Sequence, residues 1–163
     1  MDRTAKTLLC SLSGTSFMTL SSAIFSLGRQ DFREPEHLSR LIGRLLPFSS
    51  GEMNVLAGWA AHYGMGTLFA ALYVKLWEDK KLGYSWKEAI KLGLVSGIVG
   101  IGIWKATFKI HPLTPFMNYK RFYLQRIPAH LVFAAFATLT YSIIKAQEPI
   151  KQQQMDGPRP KAI

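Results

Sequence analysis

A chain of 163 residues is one domain by length, and Lys+Arg 20 against Asp+Glu 10 give it a formal net charge of +10. In a soluble protein that balance points to nucleic acid, but here the basic residues fall between apolar blocks, where they meet anionic lipid headgroups, which argues against a nucleic-acid role. A single cysteine, Cys10, excludes an internal disulfide and leaves no cysteine cluster for a metal.

The 48% apolar content is concentrated in four nearly uncharged blocks, 8–27, 54–74, 92–104 and 127–144. The first is rich in hydroxyls (Ser11, Ser13, Thr15, Ser16, Thr19, Ser21, Ser22), which can bond to their own helix backbone and cost far less in lipid than charges. Arg3 and Lys6 ahead of Cys10 resemble a lipoprotein leader, but Leu9 stands where that signal needs a small residue. No Ala-x-Ala cleavage pattern is present either, so the block is read as a retained span. Next, Glu34-Pro35-Glu36-His37 has the form of a helix start. Leu38, Leu41, Ile42, Leu45 and Leu46 then recur at helical spacing, with Arg40 and Arg44 on another face. This predicts a short interfacial helix ended by Pro47, with a solvated loop helix as the competing reading. The second block reaches spanning length at about 1.5 Å per residue. After it, Trp77, Tyr84 and Trp86 flank a charged turn and suit an interfacial aromatic belt. The third block spans only if 89–90 and 106–108 join it, with Lys91 and Lys105 snorkelling outward. Its Gly93-x-x-x-Gly97 permits close helix contact without naming the partner helix. The connection 109–126 holds no acid and is read as re-entering or surface-lying. The fourth block spans, and the polar stretch 147–163 is expected to be a disordered tail.

The expected architecture is therefore all-α, with spans near 7–27, 54–77, 89–108 and 125–145 in one domain covering 1–146. A soluble four-helix bundle is the weaker alternative, because no block carries the charged stripe of an amphipathic bundle helix. Both termini then share a side, and the Lys and Arg distribution favours a cytoplasmic one.

Two phrases repeat. Ala61-His62 and Ala129-His130 each stand in an apolar block and each is followed eleven residues later by a tyrosine, Tyr73 and Tyr141. Eleven residues are about three turns, so each His shares a helix face with its Tyr. Ser13-Gly14 and Ser96-Gly97 are each followed by a phenylalanine at the same offset, Phe25 and Phe108. The pattern suggests two parallel helical hairpins, each a Ser-Gly helix followed by an Ala-His helix, with chance matching as the alternative. Gly14, Gly93 and Gly97 are the candidate close-packing positions. For the histidines three readings stand: a neutral ring bonding across helices near Ser13 or Ser96, a proton-responsive pair, and axial ligation of haem or a metal. Tyr73 and Tyr141, near the span ends, suit the interface equally well. There is no phosphate-binding loop, no His-Glu-x-x-His, and no acid within a block to partner a histidine.

From Ala61 to Ile144 the chain resembles the YagU-type group of small bacterial inner-membrane proteins. The likeness lies in His62 with Tyr73, the third span with Gly93 and Gly97, the Leu113-Thr114-Pro115 turn, and Ala129-His130-Leu131-Val132 opening the last span. The family pattern has glycine where this chain has Ala129, and a further histidine late in the third span where this chain has Phe108, Lys109 and Ile110, with His111 just beyond. The resemblance implies a multi-pass inner-membrane protein with no reaction to carry over. The reading is a structural or interaction module of the bacterial inner membrane, not an enzyme and without a cofactor or metal. Its partner is the anionic-headgroup bilayer, with a second copy or another membrane protein as a candidate partner. The alternatives are a proton-responsive or small-solute transport protein, and a bis-histidine haem or metal protein.

Overall fold

The computed structural model describes residues 1–28, 30–46 and 48–156, with side chains as far as 148. Its helices are α1 (Arg3–Ser26), α2 (Glu34–Leu45), α3 (Gly51–Glu78), α4 (Trp86–Ile110) and α5 (Tyr119–Asp156), and no strand occurs among the described residues. The starts follow the sequence. Asp2, Ser50 and Ser85 cap α1, α3 and α4 by accepting from the backbone N–H of Ala5, Met53 and Glu88. Pro35 sits in the first turn of α2, whose last backbone bond runs from Leu46 N–H to Ile42 O. Pro47, expected to end that helix, lies outside the described residues.

Four helices, α1, α3, α4 and the Tyr119–Glu148 part of α5, are long and apolar enough to cross a membrane. Their surfaces make the stronger argument. On α1 the inward face is Thr7, Cys10, Ser11, Gly14, Thr15, Thr19 and Ser22, while Leu8, Leu12, Leu20 and Ile24 point outward and are more than half exposed. Leu68 and Leu72 on α3 and Val95 and Ile98 on α4 are likewise exposed. Water would drive these faces the other way round, whereas lipid favours this arrangement. The chain is a multi-pass membrane protein.

Packing runs in the order α4, α5, α1, α3, α2, so that the consecutive helices α3 and α4 are not direct packing neighbours. Small residues set the close approaches. A Cβ on Gly14 would lie 2.9 Å from the Phe133 ring, and one on Gly93 would lie 2.8 Å from Leu131 Cα. A Cβ on Gly97 would lie 3.1 Å from Ile127 Cα. The partner of the Gly93-x-x-x-Gly97 stripe is therefore α5. At one end of the bundle Lys6 is buried and pairs with Glu78 at 3.1 Å and Glu148 at 2.8 Å, tying α1, α3 and α5 together.

Two expectations differ from what is observed. The polar tail placed from 147 onward is helical through Asp156, because Ala146, Gln147 and Glu148 favour helix and Lys145 pairs with Glu148 one turn on. The remaining tail residues, 157–163, lie outside the described residues. Tyr73, Tyr141 and Trp77 do not face an interface. Tyr141 packs against Trp77 with ring centroids 4.6 Å apart and planes tilted by 38°, and all three are buried. The connection after α4 is held against α2, where His111 Nε2 bonds Leu41 O at 3.0 Å and Arg44 Nη1 donates to Leu113 O at 2.9 Å.

Candidate functional site

Between α3 and α4 lies a cavity of about 90 Å³. Phe69, Met65 and His62 form its α3 wall, Trp104, Ile103, Gly100 and Thr107 its α4 wall, and His130 and Phe133 come from α5. Glu34 and Leu38 of α2 close one end. Ala61, Met65 and Ile103 are exposed at its rim, so it opens sideways, where lipid would lie. Beyond the cavity α3 reaches α4 through a side chain, Tyr73, whose hydroxyl is 2.7 Å from Ser96 Oγ and 3.1 Å from Leu92 O.

The two histidines of the repeated phrases meet at this cavity. His62 is 4% exposed and its Nε2 is 2.7 Å from Thr19 Oγ1, which donates its one proton to Thr15 O at 2.8 Å. Thr19 must then accept from His62 Nε2–H, which leaves Nδ1 of His62 as an acceptor. His130 is 6% exposed, and its Nδ1 has no hydrogen-bond partner among the described residues. The ring lies edge-on to Phe69 at 5.1 Å and fits only because residue 100 is glycine, whose Cβ would stand 2.6 Å from His130 Nε2.

The expected partners Ser13 and Ser96 are not the ones used. Successive residues step about 100° around a helix, so α1 turns Ser11, Thr15, Thr19 and Ser22 inward and leaves Ser13 off that face. Ser96 is taken by Tyr73. Nε2 of His62 is taken up by Thr19 of α1 and Nε2 of His130 lies against Gly100 of α4, so the two are not presented to a common axial position for haem. Among the described residues no group of three or more His, Cys, Asp or Glu is placed to hold a metal.

The structure adds an acid that the sequence reading left at a helix start. Glu34 is 3% exposed and its carboxylate pairs with the guanidinium of Arg126, which is fully buried. Arg126 also donates to Phe32 O at 2.7 Å and to Gln125, and it stacks over Phe122 at 4.3 Å. Gln125 continues to Ser22 Oγ at 3.1 Å. Burial pushes the Glu34 carboxyl up, and Arg126 outweighs it, holding the group below the usual carboxylate range.

His37, one turn along α2, packs its ring edge against Phe122 at 4.9 Å and its Nε2 is 2.8 Å from Asp31 O. Burial lowers its basicity despite Asp31, with Arg40 and Arg126 acting in the same direction as burial. The imidazole resists a proton in the fold that it accepts when unfolded, so its stabilisation is intact above about pH 6.5 and lost as pH falls below it. Thermal unfolding in detergent should show stability declining from about pH 6.5 downward. The slope should be shallower in His37→Gln, and an unchanged slope would place the linkage elsewhere.

None of the family models, curated proteins or solved structures compared with this chain matches it.

Proposed function

We propose that this chain is a non-enzymatic interaction module of the bacterial inner membrane, of the YagU type, and that it works by holding a lipid-soluble molecule in the cavity between α3 and α4. The observation that carries this reading is the side-facing cavity between apolar and aromatic walls, with the buried His62 and His130 among its lining residues. A packed structural scaffold has no need of such a gap, since every unfilled volume forfeits dispersion contacts.

Two finer proposals go with it. The first is that the halves are hairpin repeats, supported by the pairing of α1 with α3 and α4 with α5, each pair ending in an Ala-His helix. The second is that α2 lies at the membrane interface with Arg40 and Arg44 toward headgroups, both termini being cytoplasmic. Cysteines placed at positions 30, 80, 115 and 150 in a Cys10→Ala background test the topology. Labelling from one side should alternate, with 80 and 150 agreeing; an odd number of crossings would overturn the repeat together with the topology.

A second reading, a proton-responsive or small-solute transport protein, is favoured by the hydroxyl line Ser11, Thr15, Thr19 and Ser22, which runs along α1 from the Lys6 cluster to Gln125 and Arg126. His62→Gln and His130→Gln keep hydrogen bonding and lose titration. In reconstituted vesicles, unchanged pH-dependent flux with altered stability alone supports the binding module. A flux that changes with either substitution supports transport instead. A visible absorption spectrum of the purified protein decides the haem alternative, and the module should be colourless.

A further inference from the structure

The end of the molecule that carries α2 presents apolar side chains where connections between helices ordinarily present polar ones. Leu46 and Phe48 follow α2, Leu113 and Phe116 follow α4, and all four are more than half exposed, the two phenylalanines completely. Water penalises such a lip, whereas the boundary between headgroups and acyl chains accepts it. Beside the lip runs an open groove of about 560 Å³. Leu45 of α2 stands on one side, Ile103, Ala106 and Ile110 of α4 on the other, and His111 with Pro112 at the end. The polar groups on its walls are already committed within the protein. Thr107 Oγ1 donates to Ile103 O at 2.9 Å, Leu113 N–H donates to His111 Nδ1 at 3.0 Å, and His111 Nε2 bonds Leu41 O. What the groove offers an occupant is apolar contact.

The mouth of the groove is cationic. Arg44 precedes Leu45 and donates from Nη1 to Leu113 O, beside Pro112, so its guanidinium reaches from the α2 side of the groove to the α4 side. Arg44 makes no other hydrogen bond and no ion pair among the described residues, which leaves further N–H groups to give. Lys109, next to Ile110, is exposed and has no hydrogen bond or ion pair among the described residues. The acids of this end are engaged elsewhere: Asp31 with Arg33 and Arg40, Glu36 with Arg33, and Glu34 with Arg126. Glu52, in the first turn of α3, pairs with neither Arg44 nor Lys109. An apolar slot ending beside two uncompensated cations has the layout of an acyl chain joined to a phosphodiester. A soluble anion leaves the slot empty, and a neutral lipid leaves the cations without a counter-charge.

We infer that the groove between α2 and α4 holds one anionic phospholipid, with an acyl chain along Leu45, Ala106 and Ile110 and the phosphodiester against Arg44 and Lys109. The lipid ties α2 to α4, which lie at opposite ends of the packing order. The site presupposes the interfacial placement of α2 proposed above and is separate from the cavity between α3 and α4.

Phosphatidylglycerol and phosphatidylcholine with the same acyl chains are titrated against the detergent-solubilised full-length protein, and the adducts are counted by native mass spectrometry. One phosphatidylglycerol should bind about tenfold more tightly than phosphatidylcholine, the share of affinity that a charge-assisted hydrogen bond contributes. Arg44→Gln and Lys109→Gln should each bring phosphatidylglycerol close to the phosphatidylcholine level. Lys109 has no partner to lose among the described residues, so its substitution separates lost charge from a loosened connection. Lys87→Gln removes an equal charge at the start of α4 and should change nothing. Ala106→Trp fills the groove from an exposed position and should weaken both lipids, while Val95→Trp, 61% exposed and outside the groove, should weaken neither. Equal binding of the two lipids would overturn the site, as would a phosphatidylglycerol preference untouched by Lys109→Gln and Ala106→Trp. An environment-sensitive fluorophore on Leu46→Cys, in Cys10→Ala protein in bilayers, tells that failure from failure of the premise. Interfacial emission keeps α2 at the membrane surface while the lipid site falls alone, and emission as in water removes both.

Discussion

Arg126→Met is expected to destabilise the protein by about 3–5 kcal/mol, because it leaves the Glu34 carboxylate buried with no counter-charge. The guanidinium also holds Phe32 O and Gln125, so the segment joining α1 to α2 should loosen in the same variant. The cost belongs to the uncompensated charge more than to the attraction between the partners. Glu34→Gln combined with Arg126→Met should therefore recover most of the loss, since removing both charges removes the desolvation they share. Thermal unfolding in one detergent at fixed pH measures all three proteins. A single variant as stable as the parent would mean that water reaches the pair.

Gly58→Val should displace α2 without adding a polar group. A Cβ there would lie 2.6 Å from Pro35 O and 2.7 Å from Ser39 N, both backbone atoms of α2 that no rotamer change can clear. Accommodating valine means pushing α2 off α3, at an overpacking cost of about 1–3 kcal/mol or more. Glu34 and Leu38 would be carried away with the helix, so the cavity would lose its closed end. Limited proteolysis should then cut within 28–50, where the parent resists. Gly102→Ala is the matched control, since nothing lies within 4 Å of its Cβ position and no cleavage should follow.

What the sequence discloses is what depends on local pattern. The four spans are uncharged runs, and the start of α2 is marked by Pro35 between two acids. The convergence of His62 and His130 at one place was foreshadowed by their repeated phrases, although their surroundings were not. The Glu34–Arg126 pair was out of reach for a physical reason. Glu34 at a helix start has a sufficient local explanation in the helix dipole, and Arg126 at the edge of an apolar block has one in snorkelling. Only the fold of α2 back against α3 and α5 gives each the other as partner. One hint was present: Gln125-Arg126 stands a few residues inside a run of aromatic and apolar residues, deeper than a headgroup anchor needs. Trp77 and Tyr141 were misplaced for a related reason. Aromatic residues at the ends of spans suit the interface and the bundle interior alike, and sequence spacing does not distinguish the two.

The central claim is that the gap between α3 and α4 opens to lipid and not to water, and spin-label accessibility at Met65 and Ile103 tests it most directly. Both side chains stand at the rim, and a Cys10→Ala background removes the one native thiol. With the protein in bilayers, each label should relax strongly with molecular oxygen, which partitions into acyl chains, and weakly with a water-soluble nickel complex. Strong nickel relaxation at either site would make the gap an aqueous vestibule, and no access by either reagent would mean that α3 and α4 close over it.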